Sequence, residues 1–419
     1  THSIVLNERT YLKTVVAVSG TQNGQQTDEY QDDYSLRRLF DGSYRQTKTT
    51  VSSTLTHKFN ARHLLRTGAY VNVMRYRFGQ QEWDDDAERL VEQLRNTGAA
   101  TSLDAFAQWQ YRATERLTLN AGAHGIYFFL NNTYSLEPRV AVKYAFNERQ
   151  SLSLGYGLHG QMQPLGVYFI KNENNELPNR DLGFSRAQHL VLSYDHNLPG
   201  NWHVKPELYY QALFNVPISR DEQDAFSMLN VPDGFVAEIL RNGGKGRNYG
   251  VELTLEKFLT NGFYFLLSGS LFQSEYQGSD GVWRNTRFNT GYVGSLVSGK
   301  EWNWNRRHKN RAFGVNLKLT WSGGNRETPI DLAASAEQEK TVYFEDRAFE
   351  DQMPYYLRID TGVRLKRNYQ RLTTTLSLDI QNTTNRQNIF GRYYDTRSGA
   401  VKYWYQAPMI PVLSYRVEF

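Results

Sequence analysis

The feature that most constrains this chain is a two-residue period. From Leu372 to Ile380 it reads LTTTLSLDI, with Leu372, Leu376, Leu378 and Ile380 sharing one parity with Thr374, while Thr373, Thr375, Ser377 and Asp379 hold the other. Successive side chains on a strand point to opposite faces, so such a segment has one apolar and one polar side. The pattern recurs. Tyr249, Val251, Leu253 and Leu255 alternate with Gly250, Glu252, Thr254 and Glu256; Phe313, Val315, Leu317, Leu319 and Trp321 alternate with Gly314, Asn316, Lys318 and Thr320. Val140, Val142, Tyr144 and Phe146 do the same, as do Leu357, Ile359, Val363 and Leu365. No run approaches 18 apolar residues, which rules out a transmembrane helix. A transmembrane β-barrel stays open, because its lipid-facing residues fall only at every second position.

The polar face selects the class. It mixes Arg, Lys, Glu and Asp with Gly, Ser and Thr, which suits a crowded, wet lumen, and many strands exceed the roughly 10 residues that cross a bilayer at a tilt. Aromatics make up 14% of the chain, and Trp109, Tyr111, Tyr144, Phe146 and Trp321 sit near strand ends, where interfacial girdles are expected. Short connections (Asn147–Gln150, Asn197–Asn201, Leu259–Gly262, Lys366–Gln370) alternate with long polar ones (Thr21–Gly42, Gly79–Ala99, Pro164–Gly183, Pro217–Gly246, Gly323–Met353). We therefore expect an all-β, transmembrane antiparallel β-barrel. It has about 16–17 strands in one domain spanning 1–419, with short periplasmic turns and long extracellular loops. Helical spacing of Ala87, Leu90, Val91 and Leu94 predicts a loop helix over Asp84–Arg95, and two more are expected over Asp221–Leu229 and Phe235–Leu240.

Other motifs carry little chemistry. The 419 residues contain no cysteine, which removes disulfide scaffolds, thiol catalysis and Cys-ligated zinc. Net charge is +5 and is spread along the chain, so no nucleic-acid footprint is expected. Gly155–Gly160 (GYGLHG) matches a dinucleotide fingerprint, but no helix start follows it; glycines facing a crowded lumen are expected instead. The nine histidines form no metal-ligand cluster, and Asp84, Asp85 and Asp86 lack the spacing of a calcium loop. No metal, cofactor or catalytic set is expected, and the chain does not read as an enzyme. Trp83, Tyr168, Phe169, Trp283, Arg284, Arg287, Tyr343, Phe344 and Phe349 lie in the long loops. Such side chains grip a glycan, polyol or iron chelate by stacking and charge-assisted hydrogen bonds. Finally, Leu413, Tyr415, Val417 and Phe419 alternate to the last residue, like the assembly signal read by the machinery that inserts outer-membrane barrels.

Gly246–Lys257 (GRNYGVELTLEK), Phe263–Tyr276, Arg287–Gly291, Leu376–Thr383 and Pro411–Phe419 resemble the late strands of TonB-dependent outer-membrane receptors, especially those of Bacteroidota. Tyr209–Pro217 and Phe226–Asn230 are similar to the same group. The resemblance implies a 22-stranded barrel filled by an amino-terminal plug. Neither the plug nor the first strands can be recognised in this sequence, so the carboxy-terminal barrel portion is expected. The resemblance further implies energised uptake of a scarce, bulky nutrient (a siderophore, a glycan or similar) across the outer membrane of a Gram-negative bacterium. The implied partners are outer-membrane lipid, the plug, the TonB–ExbB–ExbD complex and the barrel assembly machinery. Arg358, Asp360, Arg364 and Lys366 are then lumen charges that hold the plug or line the path, or that pair across neighbouring strands. The alternatives are a passive porin-like channel, a soluble β-rich glycan-binding protein, or a barrel phospholipase.

Overall fold

A computed structural model describes residues 1–419 except Asp32, Asp86, Glu173, Asp233, Gly234, Phe235, Ala237, Arg307 and His308, together with the side chains of Asn305, Arg306 and Lys309. One 18-stranded antiparallel sheet dominates it. Each long strand pairs with the next in sequence, from Thr10–Tyr30 with Leu36–Lys58 to Thr373–Gln381 with Ile410–Glu418. Leaving aside the short His2–Asn7 and Trp283–Asn285, 16 long strands remain in that sheet among the described residues, within the 16–17 that the alternation predicts. Connections change length from end to end. Segments 148–149, 199–201 and 261–262 turn the chain at one end; segments 162–184, 220–239, 323–355 and 382–409 fold over the other.

The two faces are chemically opposite. One carries Thr254, Ser268, Ser295, Thr320 and Arg358, neighbours across five consecutive strands. The other carries Leu253, Val251, Leu136 and Leu376, which are 42%, 47%, 61% and 45% exposed. No second layer covers this apolar face among the described residues. In water that area would demand burial; in lipid it needs none. Aromatics cluster on it near the short turns. His63 stacks on Tyr111 at 4.6 Å and Trp109 on Tyr111 at 5.4 Å; Tyr144 meets Phe146 at 5.2 Å, Trp202 meets Phe265 at 5.8 Å and Trp302 meets Phe313 at 5.9 Å. An amphipathic ring at that level is the interfacial belt that the composition foreshadows.

Buried apolar residues gather at the long-loop end instead. Met74, Tyr76, Phe78, Leu94 and Phe128 on the strands close over Leu165, Val167, Tyr168, Phe169 and Leu182 of the 162–184 loop. Asn72, Met74, Tyr76, Phe78 and Gln80 are buried at every second position, so this loop lies on the inner face of the wall. Asn179, fully buried, fastens it to the next loop: its Nδ2 donates to the Glu238 carbonyl at 2.7 Å, and its Oδ1 accepts from Leu240 N at 2.7 Å.

Several expectations need correction. Asp84–Arg95 is not a helix: His63–Asp84 and Arg89–Arg112 are strands of 22 and 24 residues that form a tall hairpin. Thr21–Gly42 is mostly strand as well, in the 21- and 23-residue pair Thr10–Tyr30 and Leu36–Lys58. Backbone hydrogen bonding simply runs on above the apolar band in both. Asp221–Leu229 holds only the start of a 3-10 turn, Met228–Asn230. Phe235–Leu240 lies partly outside the described residues, and Leu240 opens a strand. The α-helix that does form, Leu332–Glu337, is capped by Asp331, whose Oδ1 accepts from Ala333 N and Ala334 N at 3.0 Å each.

Candidate functional site

The expected lumen charges fall on the inner face, and Arg358, Asp360 and Arg364 find partners in their own wall. Arg358 bonds Asp360 at 2.7 Å and Gln381 at 3.0 Å, and Asp360 also accepts from Asn382 N at 2.8 Å. Arg364 reaches Glu301 at 2.9 Å across an intervening strand. That strand places Gly314 between them, where an added Cβ would sit 3.4 Å from Arg364 Nε. The glycine thus clears the path of the ion pair. Lys366 makes no ion pair among the described residues. Glycines of the GYGLHG segment behave similarly. A Cβ on Gly160 would meet the Glu137 carboxylate at 2.9 Å, and Gly160 N donates to that same Oε1 at 2.9 Å.

Of the residues expected in the long loops, Trp83 instead lies at the end of the strand His63–Asp84, and Trp283 and Arg284 lie on the short strand Trp283–Asn285; the others are in loops. Tyr168 and Phe169 are 1% and 2% exposed. Phe169 stacks on Tyr76 at 4.8 Å, Tyr168 packs on Phe128 at 5.5 Å, and burial pushes the Tyr168 phenol up to about 12. Trp83 and Trp283 lie under guanidinium groups, those of Arg37 at 5.0 Å and Arg247 at 4.5 Å; Trp283 is 40% exposed. Arg284 pairs with Asp280 at 2.6 Å and donates to the Asp346 carbonyl at 3.1 Å, joining two loops. Phe344 carries Arg347 over its ring at 5.5 Å, and Tyr343 beside it is exposed.

Arg287 and Phe349 belong elsewhere. They line a cavity of about 750 Å³ at the mouth, walled by three loops and a strand end. Asp224 and Glu238 come from the 220–239 loop, Arg287 from the 278–291 loop, Glu345 and Phe349 from the 323–355 loop, and Tyr276 from the end of Phe263–Gln277. Phe349 meets Tyr276 edge-to-face at 6.0 Å. Burial, reinforced by the charge of Asp224, holds both the Glu238 and the Glu345 carboxyls above the ordinary range. Sequence reasoning found Arg287 and Phe349 but missed the carboxylates, Tyr276 and Asn230, which share no local pattern. Further round the rim, Arg392 of the Ile389–Asp395 strand pairs with Glu327 at 3.2 Å and Asp351 at 2.6 Å, so the last loop is locked to the 323–355 loop.

No protein-family model matches this sequence, and no curated protein matches it. Solved structures do match its fold. The ferric yersiniabactin uptake receptor FyuA from Yersinia pestis superposes with a TM-score of 0.67 at 12% identity, over 99% of this chain and 60% of the receptor. The ferric-catecholate import receptor Fiu from E. coli K12 gives 0.66 at 12% identity, over 99% of this chain and 62% of the receptor. The ferric citrate transporter FecA gives 0.62 at 11% identity, over 99% and 59%. The chain therefore spans about three-fifths of the length of these proteins. Its fold is the β-barrel fold of outer-membrane TonB-dependent receptors, which are transport proteins and not enzymes.

Proposed function

We propose that this chain is barrel wall and mouth of an outer-membrane receptor that takes up a small-molecule cargo by TonB-dependent, energy-coupled transport. The observation that carries the reading is the exposed apolar face, bounded by stacked aromatics at the short-turn end, on a meander with the fold of such receptors. Uptake then needs a plug within the wall and the TonB–ExbB–ExbD complex on its inner side. The lumen charges Arg358, Asp360, Arg364 and Lys366 face that plug. Trp83, Trp283, Arg284, Arg287, Tyr343, Phe344 and Phe349 are the loop contacts for cargo, while Tyr168 and Phe169 hold the loop that presents them. Leu413, Tyr415 and Val417 lie opposite Leu378, Leu376 and Thr374 on the outer face, and with Phe419 form the strand read by the assembly machinery. The late-strand motifs favour a Bacteroidota-type receptor.

Membrane fractionation followed by uptake assays tests this. The protein is expected in the detergent-extracted outer-membrane fraction, with cargo accumulation abolished by a protonophore or by loss of TonB. Recovery in the aqueous fraction, or uptake unaffected by the protonophore, would rule it out.

A further inference from the structure

The tall hairpins carry a second opening on their inner face. A cavity of about 940 Å³ lies between them, the 162–184 loop and the end of the 220–239 loop. One chemistry recurs in its lining: Asn23, Gln25, Gln46, Gln80 and Gln93 bring side-chain amides from four consecutive strands. Strand register collects them. Gln25, Gly42 and Gln80 face one another across three strands, and Asn23, Tyr44 and Phe78 form the next row. Gln93 arrives by a bulge: Gln80 pairs with Leu94 and Gln81 with Glu92, so Gln93 is the extra residue without a partner across the ladder. Gly42 leaves room for rings. A Cβ there would lie 2.7 Å from Phe40 Cε1 and 3.0 Å from Tyr44 Cε2, so both half-buried rings close over the glycine. Gln25 and Gln80, two strands apart, stand about 10 Å from each other on either side of them.

Two further features say what such a cavity takes. Gln80 is 5% exposed, and its Oε1 accepts from the Tyr44 hydroxyl, yet its Nε2 has no hydrogen-bond partner among the described residues. Buried donors are normally satisfied, and native exceptions call for an explanation. The side-chain amides of Asn23, Gln25, Gln46 and Gln93 have no partner among the described residues either. A primary amide donates and accepts at once, and its complement is a group that does both, a hydroxyl. The second feature is charge. No Lys or Arg lines the cavity, whereas Glu82 and Glu238 do. An anionic chelate would find no counter-charge there and would meet two carboxylates of its own sign. The volume suits an organic molecule, and rings flanked by amides suit the apolar C–H face and the hydroxyl edge of a sugar.

We propose that this cavity binds an uncharged oligosaccharide. A sugar ring packs on Phe40 and Tyr44, and its hydroxyls exchange hydrogen bonds with Gln80 on one side and Gln25 on the other. This deepens the receptor reading, on which it rests, by naming the class of cargo.

The test uses purified protein in a detergent without a sugar head group. It is applied to an array of neutral oligosaccharides covering the common linkages, and the glycan retained is then titrated by calorimetry. Trigalacturonate and ferric tricatecholate are titrated alongside as an acidic sugar and an anionic chelate. The neutral glycan is expected to bind saturably and at least about tenfold more tightly than either anion. Gln25→Ala removes an exposed amide and should lower affinity several-fold with the melting temperature unchanged, a readout that a purely structural role would not give. Gly42→Ala pushes the two rings off the wall and should weaken binding by a similar factor. Gln22→Ala, on the outer face of the same strand, should bind as the unaltered protein does. Retention of no neutral glycan overturns the proposal. So does tighter binding of trigalacturonate or ferric tricatecholate, or unaltered affinity in both Gln25→Ala and Gly42→Ala. Because binding is read on purified protein, such a failure leaves the receptor reading standing. Absence from the outer-membrane fraction removes that reading without altering the titration.

Discussion

Leu253→Arg asks directly which face of the sheet meets lipid. Leu253 lies on the apolar face of Leu240–Thr260, 42% exposed, four residues above Lys257. Lys257 marks the aromatic belt, its ammonium 4.9 Å from the Trp202 ring. Four residues at about 3.4 Å each, on a strand tilted by about 45°, raise Leu253 roughly 10 Å above that belt. The apolar band of such barrels is about 25 Å tall, so Leu253 is close to its middle. An arginine there should cost about 2–4 kcal/mol. Ser268→Arg, opposite Thr254 and Ser295 on the other face, adds the same side chain to the watery side and should cost under about 1 kcal/mol. The assay is urea unfolding of the protein reconstituted in phospholipid vesicles, followed by tryptophan fluorescence. If Ser268→Arg proves the more damaging of the two, the faces have been assigned the wrong way round and the membrane argument fails.

Four further outcomes are expected. Asn179→Ala removes two of the bonds that tie the 162–184 loop to the 220–239 loop and to the start of the strand after it, and strands Leu240 N. It should lower local stability by about 1–3 kcal/mol, seen as faster hydrogen exchange in both loops with strand protection unchanged. Gly262→Ala should destabilise by about 1–3 kcal/mol, because φ is +75° and a Cβ would collide with the Glu301 carbonyl; a loss in the urea midpoint checks it. Phe419→Ala should reduce the amount of protein assembled in the outer membrane, measured by fractionation, without altering the stability of what does assemble. Glu238 and Glu345 bind protons more tightly folded than unfolded, so their contribution to stability is greatest below the unfolded carboxyl value and falls as pH rises through the raised folded values. Limited proteolysis of the 220–239 and 323–355 loops should therefore be slower at mildly acidic than at neutral pH, and Glu345→Gln should shrink that difference.

The barrel strands were legible because lipid on one side and water on the other impose a strict parity, as Leu253 and Thr254 show. The tall hairpin was misread for a physical reason. Leu90 and Leu94 stand four apart, a spacing that satisfies both the helical and the strand period. A bulge at Gln80/Gln81 then shifts the register, so that Glu92 faces Gln81 while Leu94 faces Gln80. The capped helix at Leu332 did carry a signal, Asp331 ahead of LAASAE, but a six-residue element gives little periodicity to count. At the mouth, Arg287 and Phe349 stood out as types that grip ligands. Asp224, Glu238, Tyr276 and Glu345 come from segments up to 121 residues apart and meet only through loop packing, which no window of sequence contains.

The hairpin strands Thr10–Tyr30, Leu36–Lys58, His63–Asp84 and Arg89–Arg112 are ladder-bonded almost to their tips, far beyond the length that lipid requires. Such a parapet cannot swing at its base without breaking rows of backbone bonds. The opposite rim is built from segments tied by side chains such as Asn179 and Arg392. A change at the entrance would therefore cost least where single side-chain bonds such as those of Arg392 hold the 323–355 loop, and most on the hairpin side, where whole rows of backbone bonds would have to break.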